Sequence, residues 1–212
     1  MHPKPIIIFD LDGTLIDSRA DLTDAVNEVR QLRGLSPLPL PQVVSYLGDG
    51  QRNLMTRSIP GLDEERLTEA CRQMSACYAK RLVAKTRLYP GVAETLPVLA
   101  QTHSLCVVSN KNDDAANAIL RELGIVRHFA AVIGGGRCKR LKPDIEPFLL
   151  AAEICGSPLE GGWVVGDHRT DMAAAKNASM RACFCAYGFG WQDVQRADAL
   201  IQHFSLLTEI IP

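Results

Sequence analysis

The chain has 212 residues, with 23 Lys and Arg against 24 Asp and Glu, a formal charge of −1. That balance excludes a general nucleic-acid or membrane-surface binder, which needs clustered cations; the densest basic stretch, Arg137, Lys139, Arg140 and Lys142, is too short for a binding face. The length excludes a mini-protein held by staples and leaves one large domain, or one domain with a small companion.

In chain order, Ile6-Ile7-Ile8-Phe9 reads as a buried strand. Asp10 cuts this run short, so it makes neither a signal-peptide core nor a membrane span, which needs about 18 apolar residues. From Ile16 to Arg87 no convincing strand follows. Ala20 to Leu32 has helical spacing and stops at Arg33-Gly34. Pro37, Pro39 and Pro41 mark a turn, Gly48-Asp49-Gly50 a flexible loop, and Asp63 to Ala84 a long helix. Beyond Pro90-Gly91, apolar runs at Leu105–Val108, Ala130–Ile133, Trp163–Val165 and Ala182–Cys185 alternate with amphipathic stretches at Asn112–Leu123, Pro143–Cys155 and Arg169–Asn177. Strands covered on both faces and alternating with helices predict an α/β fold, a Rossmann-like parallel sheet with helices on both sides. The expected division is a discontinuous core, 1–15 and 88–212, with a small all-helical cap, 16–87, inserted after the first strand. Hinges fall near Leu15–Asp17 and Leu88–Pro90. Gly134-Gly135-Gly136 reads as a mobile loop leading to Lys142, and Tyr187-Gly188-Phe189-Gly190-Trp191, just after a strand, as a packed surface loop in preference to a border of the cleft. Seven cysteines without a C-x-x-C pair read as small buried hydrophobes of a reducing compartment, so a cytoplasmic protein is expected.

The strongest chemical signal is Asp10-Leu11-Asp12-Gly13-Thr14, directly after the first strand. Two carboxylates in an apolar setting are costly, and the carboxyl ends of parallel strands are where ligands bind. Ser109-Asn110-Lys111 follows a second strand, Lys142-Pro143 opens a helical stretch, and Gly166-Asp167-His168-Arg169-Thr170-Asp171 follows a later strand. In this order, from about Ile6 to Tyr187, the motifs resemble those of the haloacid dehalogenase superfamily of phosphotransferases. Asp17-Ser18, Gly48-Asp49-Gly50-Gln51-Arg52 and Leu88-Tyr89-Pro90-Gly91 resemble its phosphoglycolate phosphatase-like branch.

The resemblance implies a phosphoric monoester hydrolase acting through an aspartyl-phosphate on phosphoglycolate-type or sugar phosphate monoesters. Asp10 would be the nucleophile, and Asp12 would protonate the leaving group and then activate water. Ser109 and Lys142 would bind the phosphoryl oxygens. Asp10, the Asp12 carbonyl and Asp167 would hold Mg²⁺, and Asp171 would orient Lys142 or metal-bound water. Thr14 would orient Asp12, and Asn110 would add a backbone donor. Gly13, Gly48, Arg52 and His168 would line the substrate. Two carboxylates about 4 Å apart repel by about 4 kcal/mol at an effective dielectric of 20, so Lys142 alone cannot balance Asp10, Asp12, Asp167 and Asp171. A divalent cation with hard oxygen ligands is implied, and a phosphate partner favours Mg²⁺. A small phosphorylated metabolite is the expected partner, with no nucleic acid or membrane, and the chain acts as a monomer or homodimer. The alternatives are a sugar-phosphate mutase or phosphonate hydrolase of the same superfamily, or a non-enzymatic receiver-like domain. Asp12 and the Gly166-Asp167 pairing weigh for a phosphatase, and the acidic pair at the first strand weighs against a receiver.

Overall fold

The computed structural model describes residues 3–190 and 197–211. Six strands, β1 (Ile6–Phe9), β4 (Ser104–Asn112), β5 (Ala131–Gly135), β6 (Trp163–Gly166), β7 (Arg181–Cys185) and β8 (Ala199–Ile201), form one sheet in the order β5-β4-β1-β6-β7-β8. Every pairing in it is parallel. Residues along β1 alternate between two buried clusters. Ile7 and Phe9 join one cluster, and Ile6 and Ile8 the other. This is why the strand carries no polar residue before Asp10: both of its faces lie under helices.

Between β1 and β4 lie β2 (Ile16–Asp17), α1 (Arg19–Gln31), α2 (Leu40–Val44), α3 (Gln51–Ser58), α4 (Glu64–Ala79), β3 (Arg87–Leu88) and α5 (Val92–Thr102). The expected strandless stretch holds apart from its ends. There β2 and β3 pair antiparallel, Ile16 with Leu88 and Asp17 with Arg87. The presumed hinges are thus a ribbon that brings both ends of the helical segment together. Pro41 sits in the first turn of α2, where its missing N–H costs nothing, so the prolines open a helix as well as turning the chain. The long helix is shorter than its spacing suggests and ends at Ala79. It starts with Asp63, whose carboxylate accepts from the Arg66 N–H, and carries Glu64 and Glu65 in its first turn. Buried Ala25, Val26 and Val29 of α1 face buried Leu67, Ala70 and Met74 of α4 within the cluster that also holds Ile7 and Phe9.

The second half contains α6 (Asp113–Glu122), α7 (Glu146–Cys155), α8 (Arg169–Asn177) and a short α9 (Leu207–Ile210). Asn112 caps α6, accepting from the Ala115 N–H at 3.2 Å. Helix α7 begins at Glu146, so Lys142-Pro143 precedes it by a turn. The glycine run is a loop only from Gly136 on. Gly134 and Gly135 belong to β5, and a Cβ on Gly134 would lie 2.3 Å from the Asp113 Cα. No disulfide joins any of the seven cysteines, and burial pushes the Cys183 thiol up to about 12. Among the described residues, no helix is long and apolar enough to cross a membrane.

Candidate active site

Adjacent strands β4, β1 and β6 deliver their carboxyl ends to one place. Chain direction across the sheet reverses here, with β4 and β5 added on one side of β1 and β6 to β8 on the other. Such a switch point leaves a crevice. Asp10 leaves β1, Ser109 lies on β4, and Asp167 leaves β6.

Lys142 is the hub. Its Nζ donates to Asp10 Oδ1 at 2.6 Å, to Asp171 Oδ1 at 2.7 Å and to the Val108 carbonyl at 2.6 Å, with the side chain only 2% exposed. Burial would strip its proton, but Asp10 and Asp171 outweigh that and hold the ammonium above its ordinary range. Asp171, expected to orient Lys142 or metal-bound water, thus accepts directly from Lys142, and its Oδ2 also accepts from the His168 N–H at 3.0 Å. His168 completes a reciprocal cap at the start of α8, its ring accepting from the Thr170 N–H.

Asp12 has a separate set of partners that the sequence reading did not name. Lys111 Nζ donates to both its oxygens, at 2.9 and 3.0 Å, and the Ser18 hydroxyl donates to Oδ1. Ser18 stands at the cap position of α1 but makes no cap bond, its hydroxyl being spent on Asp12. The Tyr78 ring of α4 lies 4.5 Å from Lys111 Nζ, a cation–π contact between helical segment and core. Both Lys111 and Ser18 belong to quoted motifs, Ser109-Asn110-Lys111 and Asp17-Ser18, which is the only sequence signal for them.

Several expected residues do other work. The Thr14 hydroxyl donates to Asp167 Oδ1 at 3.3 Å, so it orients Asp167 rather than Asp12. Gly13 clears space instead of lining a substrate: at φ +95°, a Cβ there would sit 2.1 Å from Asp167 Oδ2. Asn110 acts through its side chain. Its Nδ2 donates to the carbonyls of Gly48 (3.0 Å) and Lys142 (3.1 Å), and its Oδ1 accepts from the Lys142 N–H (2.9 Å). Arg52 turns away from the cavity and pairs with exposed Glu64. A guanidinium on an exposed helix face finds the nearest surface carboxylate. In the loop before it, Asp49 accepts from Arg57 and Arg169, each at 2.6 Å. A Cβ on Gly48 would meet the His168 ring at 2.6 Å, which places both residues at the seam between helical segment and core.

The segment after β7 is also closer to the site than a packed surface loop. The Phe189 N–H donates to Asp167 Oδ2 at 2.5 Å, and the Tyr187 hydroxyl donates to the Thr14 carbonyl at 2.9 Å. Trp191, expected in the same loop, lies outside the described residues. A cavity of about 410 Å³ opens over this floor, lined among others by Asp10, Asp12, Ser109, Asn110, Lys111, Asp167 and His168.

Charge in the floor does not balance. Four buried or half-buried carboxylates, Asp10, Asp12, Asp167 and Asp171, face the two lysines, Lys111 and Lys142. Burial pushes Asp10 up to about 7 against the pull of Lys142, with Asp171 adding to the rise. Asp167 is raised well above the usual carboxylate range, first by burial, then by Asp10 and Asp171. Oxygens of Asp10, Asp167 and Asp171 lie within 4.8 Å of one another. Three hard oxygen donors in a site short of positive charge, with no thiolate or imidazole among them, fit a magnesium ion. The side chain that joins Asp10 and Asp167 in this cluster is Asp171, while the Asp12 carboxylate is held apart by Lys111 and Ser18.

Residues 7–185 match the family model of the haloacid dehalogenase-like hydrolases. A phosphoglycolate phosphatase of Agrobacterium fabrum is 34% identical, the match covering 97% of this chain and 91% of that protein. A phosphoglycolate phosphatase of Chromobacterium violaceum is 32% identical over 97% and 95% of the two chains. A crystal structure described as a predicted phosphoglycolate phosphatase from Haemophilus somnus has a TM-score of 0.92 at 29% identity, covering all of both chains. The parallel sheet, the ordered acidic motifs at its strand ends and these matches agree: the chain belongs to the haloacid dehalogenase-like hydrolases and is a phosphoric monoester hydrolase.

Proposed function

We propose that the chain hydrolyses monoesters of small phosphorylated metabolites with Mg²⁺, through an aspartyl-phosphate on Asp10, and that residues 16–87 form a cap over the site. The observation that carries this reading is the separation of two carboxylates two residues apart. Asp10 sits on Lys142, whereas Asp12 sits on Lys111 and Ser18. Groups so differently held can take different roles, one as nucleophile and one as proton carrier.

In the first step an Asp10 carboxylate oxygen bonds to phosphorus as the ester P–O bond breaks. The departing alkoxide takes a proton delivered by Asp12. Water then attacks the phosphorus of the aspartyl-phosphate, giving its proton to Asp12 and releasing inorganic phosphate and the restored Asp10. Lys142 would meet the charge that grows on the phosphoryl oxygens, and the buried Ser109 hydroxyl borders the same floor. Asp10, Asp167 and Asp171 or the Asp12 carbonyl would hold the cation, which when bound offsets phosphoryl charge and keeps Asp10 ionised. The names of the relatives bring phosphoglycolate into the candidate substrates beside sugar phosphates. Unpaired thiols support a reducing, cytoplasmic location.

The test is phosphate release by purified wild type and Asp10→Asn across a panel of monoesters, with and without EDTA. The expected result is metal-restorable activity in the wild type, and none in the variant. Undiminished turnover by Asp10→Asn would sink the mechanism.

A further inference from the structure

The cavity is unlike its floor. Above the carboxylates and lysines, its wall is mostly apolar, built by Leu22 of α1, Leu47, Leu54 of α3, Met74 of α4, Leu82 and Ala118 of α6; the polar Gln51 and Ser75 beside them bond to each other. Its volume, about 410 Å³, lies within the range of about 300–1,000 Å³ that encloses drug-sized ligands. A short hydroxy acid would leave most of that space unfilled.

Charge argues in the same direction. Among the described residues, Lys111 is the sole lysine or arginine lining the cavity, and both Asp12 oxygens already engage it. The arginines nearby are committed elsewhere: Arg52 to Glu64, and Arg57 and Arg169 to Asp49. Exposed Asp114, in the first turn of α6, adds a carboxylate to the lining. A second anionic group on the substrate would therefore lose its water against a leucine wall and meet no uncommitted cation.

We propose that the substrate is the phosphate monoester of an alcohol carrying a sizeable uncharged apolar group, which packs on the Leu54–Met74 wall, and not a short anionic acid such as phosphoglycolate. This rests on the phosphatase reading above and names the substrate class of that same site. The apolar group supplies binding, while Asp10, Asp12 and Lys142 act on the ester end.

The experiment measures kcat/KM with Mg²⁺ for unbranched alkyl phosphates from ethyl to hexyl, and for phosphoglycolate. The alkyl esters have similar leaving groups, so chain length isolates wall contact. Burial of each methylene predicts about a fourfold rise, on the order of 10²-fold from ethyl to hexyl phosphate. Phosphoglycolate should fall below hexyl phosphate. Met74→Asp should flatten the hexyl-to-ethyl ratio and Met74→Leu should keep it; as a ratio on one preparation, it is independent of the fraction that folds. A ratio near one in the wild type, or phosphoglycolate as the better substrate, overturns the inference and leaves the phosphatase reading standing. A selective loss of phosphoglycolate turnover in Lys111→Met would also overturn it, because Lys111 would then be serving a substrate carboxylate. No hydrolysis of any ester would sink the phosphatase reading, and this inference with it.

Discussion

Floor and wall of the cavity are built on opposite rules. In the floor three of the four carboxylates are held by more than one donor, Asp167 by Thr14 and Phe189, Asp171 by Lys142 and His168, and Asp12 by Lys111 and Ser18, while Asp10 rests on Lys142. The wall is mainly leucine, methionine and alanine, with Gln51, Ser75 and Tyr78 beside them, and polar bonds such as Asn110 to Gly48 and Arg169 to Asp49 tie the helical segment to the core at its edges. A directional network can hold reacting groups within tenths of an ångström, whereas an apolar wall accepts any shape that fills it. On the substrate proposal above, the contrast separates the chemistry, held at the strand ends, from the choice of alcohol, left to the helices of the wall.

The hardest test of the floor is Lys142→Met. It leaves Asp10 and Asp171 buried without their shared cation, an error worth about 3–5 kcal/mol of stability. Loss of a donor to the phosphoryl oxygens should lower kcat by roughly 10²–10³-fold. Urea unfolding and steady-state rates, both in Mg²⁺, would measure the two effects. Lys111→Met should be milder, about 1–3 kcal/mol, because Asp12 keeps Ser18 and its side chain is 18% exposed against 1% for Asp171. Equal losses in the two variants would show that the floor is one network rather than two.

The sequence made the floor's skeleton legible and hid its pairing. Asp10 could be placed because four consecutive apolar residues precede it, and a buried parallel strand must end where a carboxylate appears. Asp167 could be placed for the same reason after β6. Lys111 could not, since its partner lies 99 residues away and a lysine after a strand is ordinarily solvated. Proximity in the chain points Thr14 at Asp12, but the turn at Gly13 aims the hydroxyl at Asp167. Strand β8 escaped notice because Ala199–Ile201 is three residues long with Leu200 exposed, too little pattern to read. The ribbon of β2 and β3 escaped for the same reason, having two residues on each side.

Acidity offers a graded test of the same floor. Burial lifts Asp10 to about 7 in the metal-free protein, so between about pH 4 and pH 7 the folded state holds a proton that the unfolded chain has lost. The stability gained from this proton is complete at low pH and disappears as pH rises through 7. Buried His103, held below its ordinary range by burial, works in the opposite sense as pH falls below 6.5. Subtracting Asp10→Asn removes the histidine contribution and leaves that of Asp10, together with the part of the Asp167 rise that the Asp10 charge causes. Relative to Asp10→Asn, the metal-free wild type should therefore lose ground from about pH 4 to pH 7 and level off above it, by about 2–4 °C of Tm per kcal/mol. Saturating Mg²⁺ should abolish the trend. A constant difference in thermal melts across that range would show that Asp10 is ionised throughout, and the floor less starved of positive charge than its geometry indicates.

The smallest effect belongs to the edge where wall meets floor. Asp49 holds Arg57 of α3 and Arg169 of α8 at 2.6 Å, with Arg169 more than half exposed. Burial pushes the Asp49 carboxyl up, but the two guanidiniums outweigh it and keep it below the usual range. Screened pairs of this kind contribute about 1 kcal/mol or less. Asp49→Asn should therefore leave Tm nearly unchanged and lower kcat/KM for every alkyl phosphate by about fivefold at most, the equivalent of that energy. The hexyl-to-ethyl ratio is the sharper readout. If the clasp only seats the helices, the ratio stays as in the wild type, because Leu54 and Met74 keep their places. If the ratio falls, the clasp also shapes the wall, and the division between a fixed floor and a permissive wall gives way at Asp49.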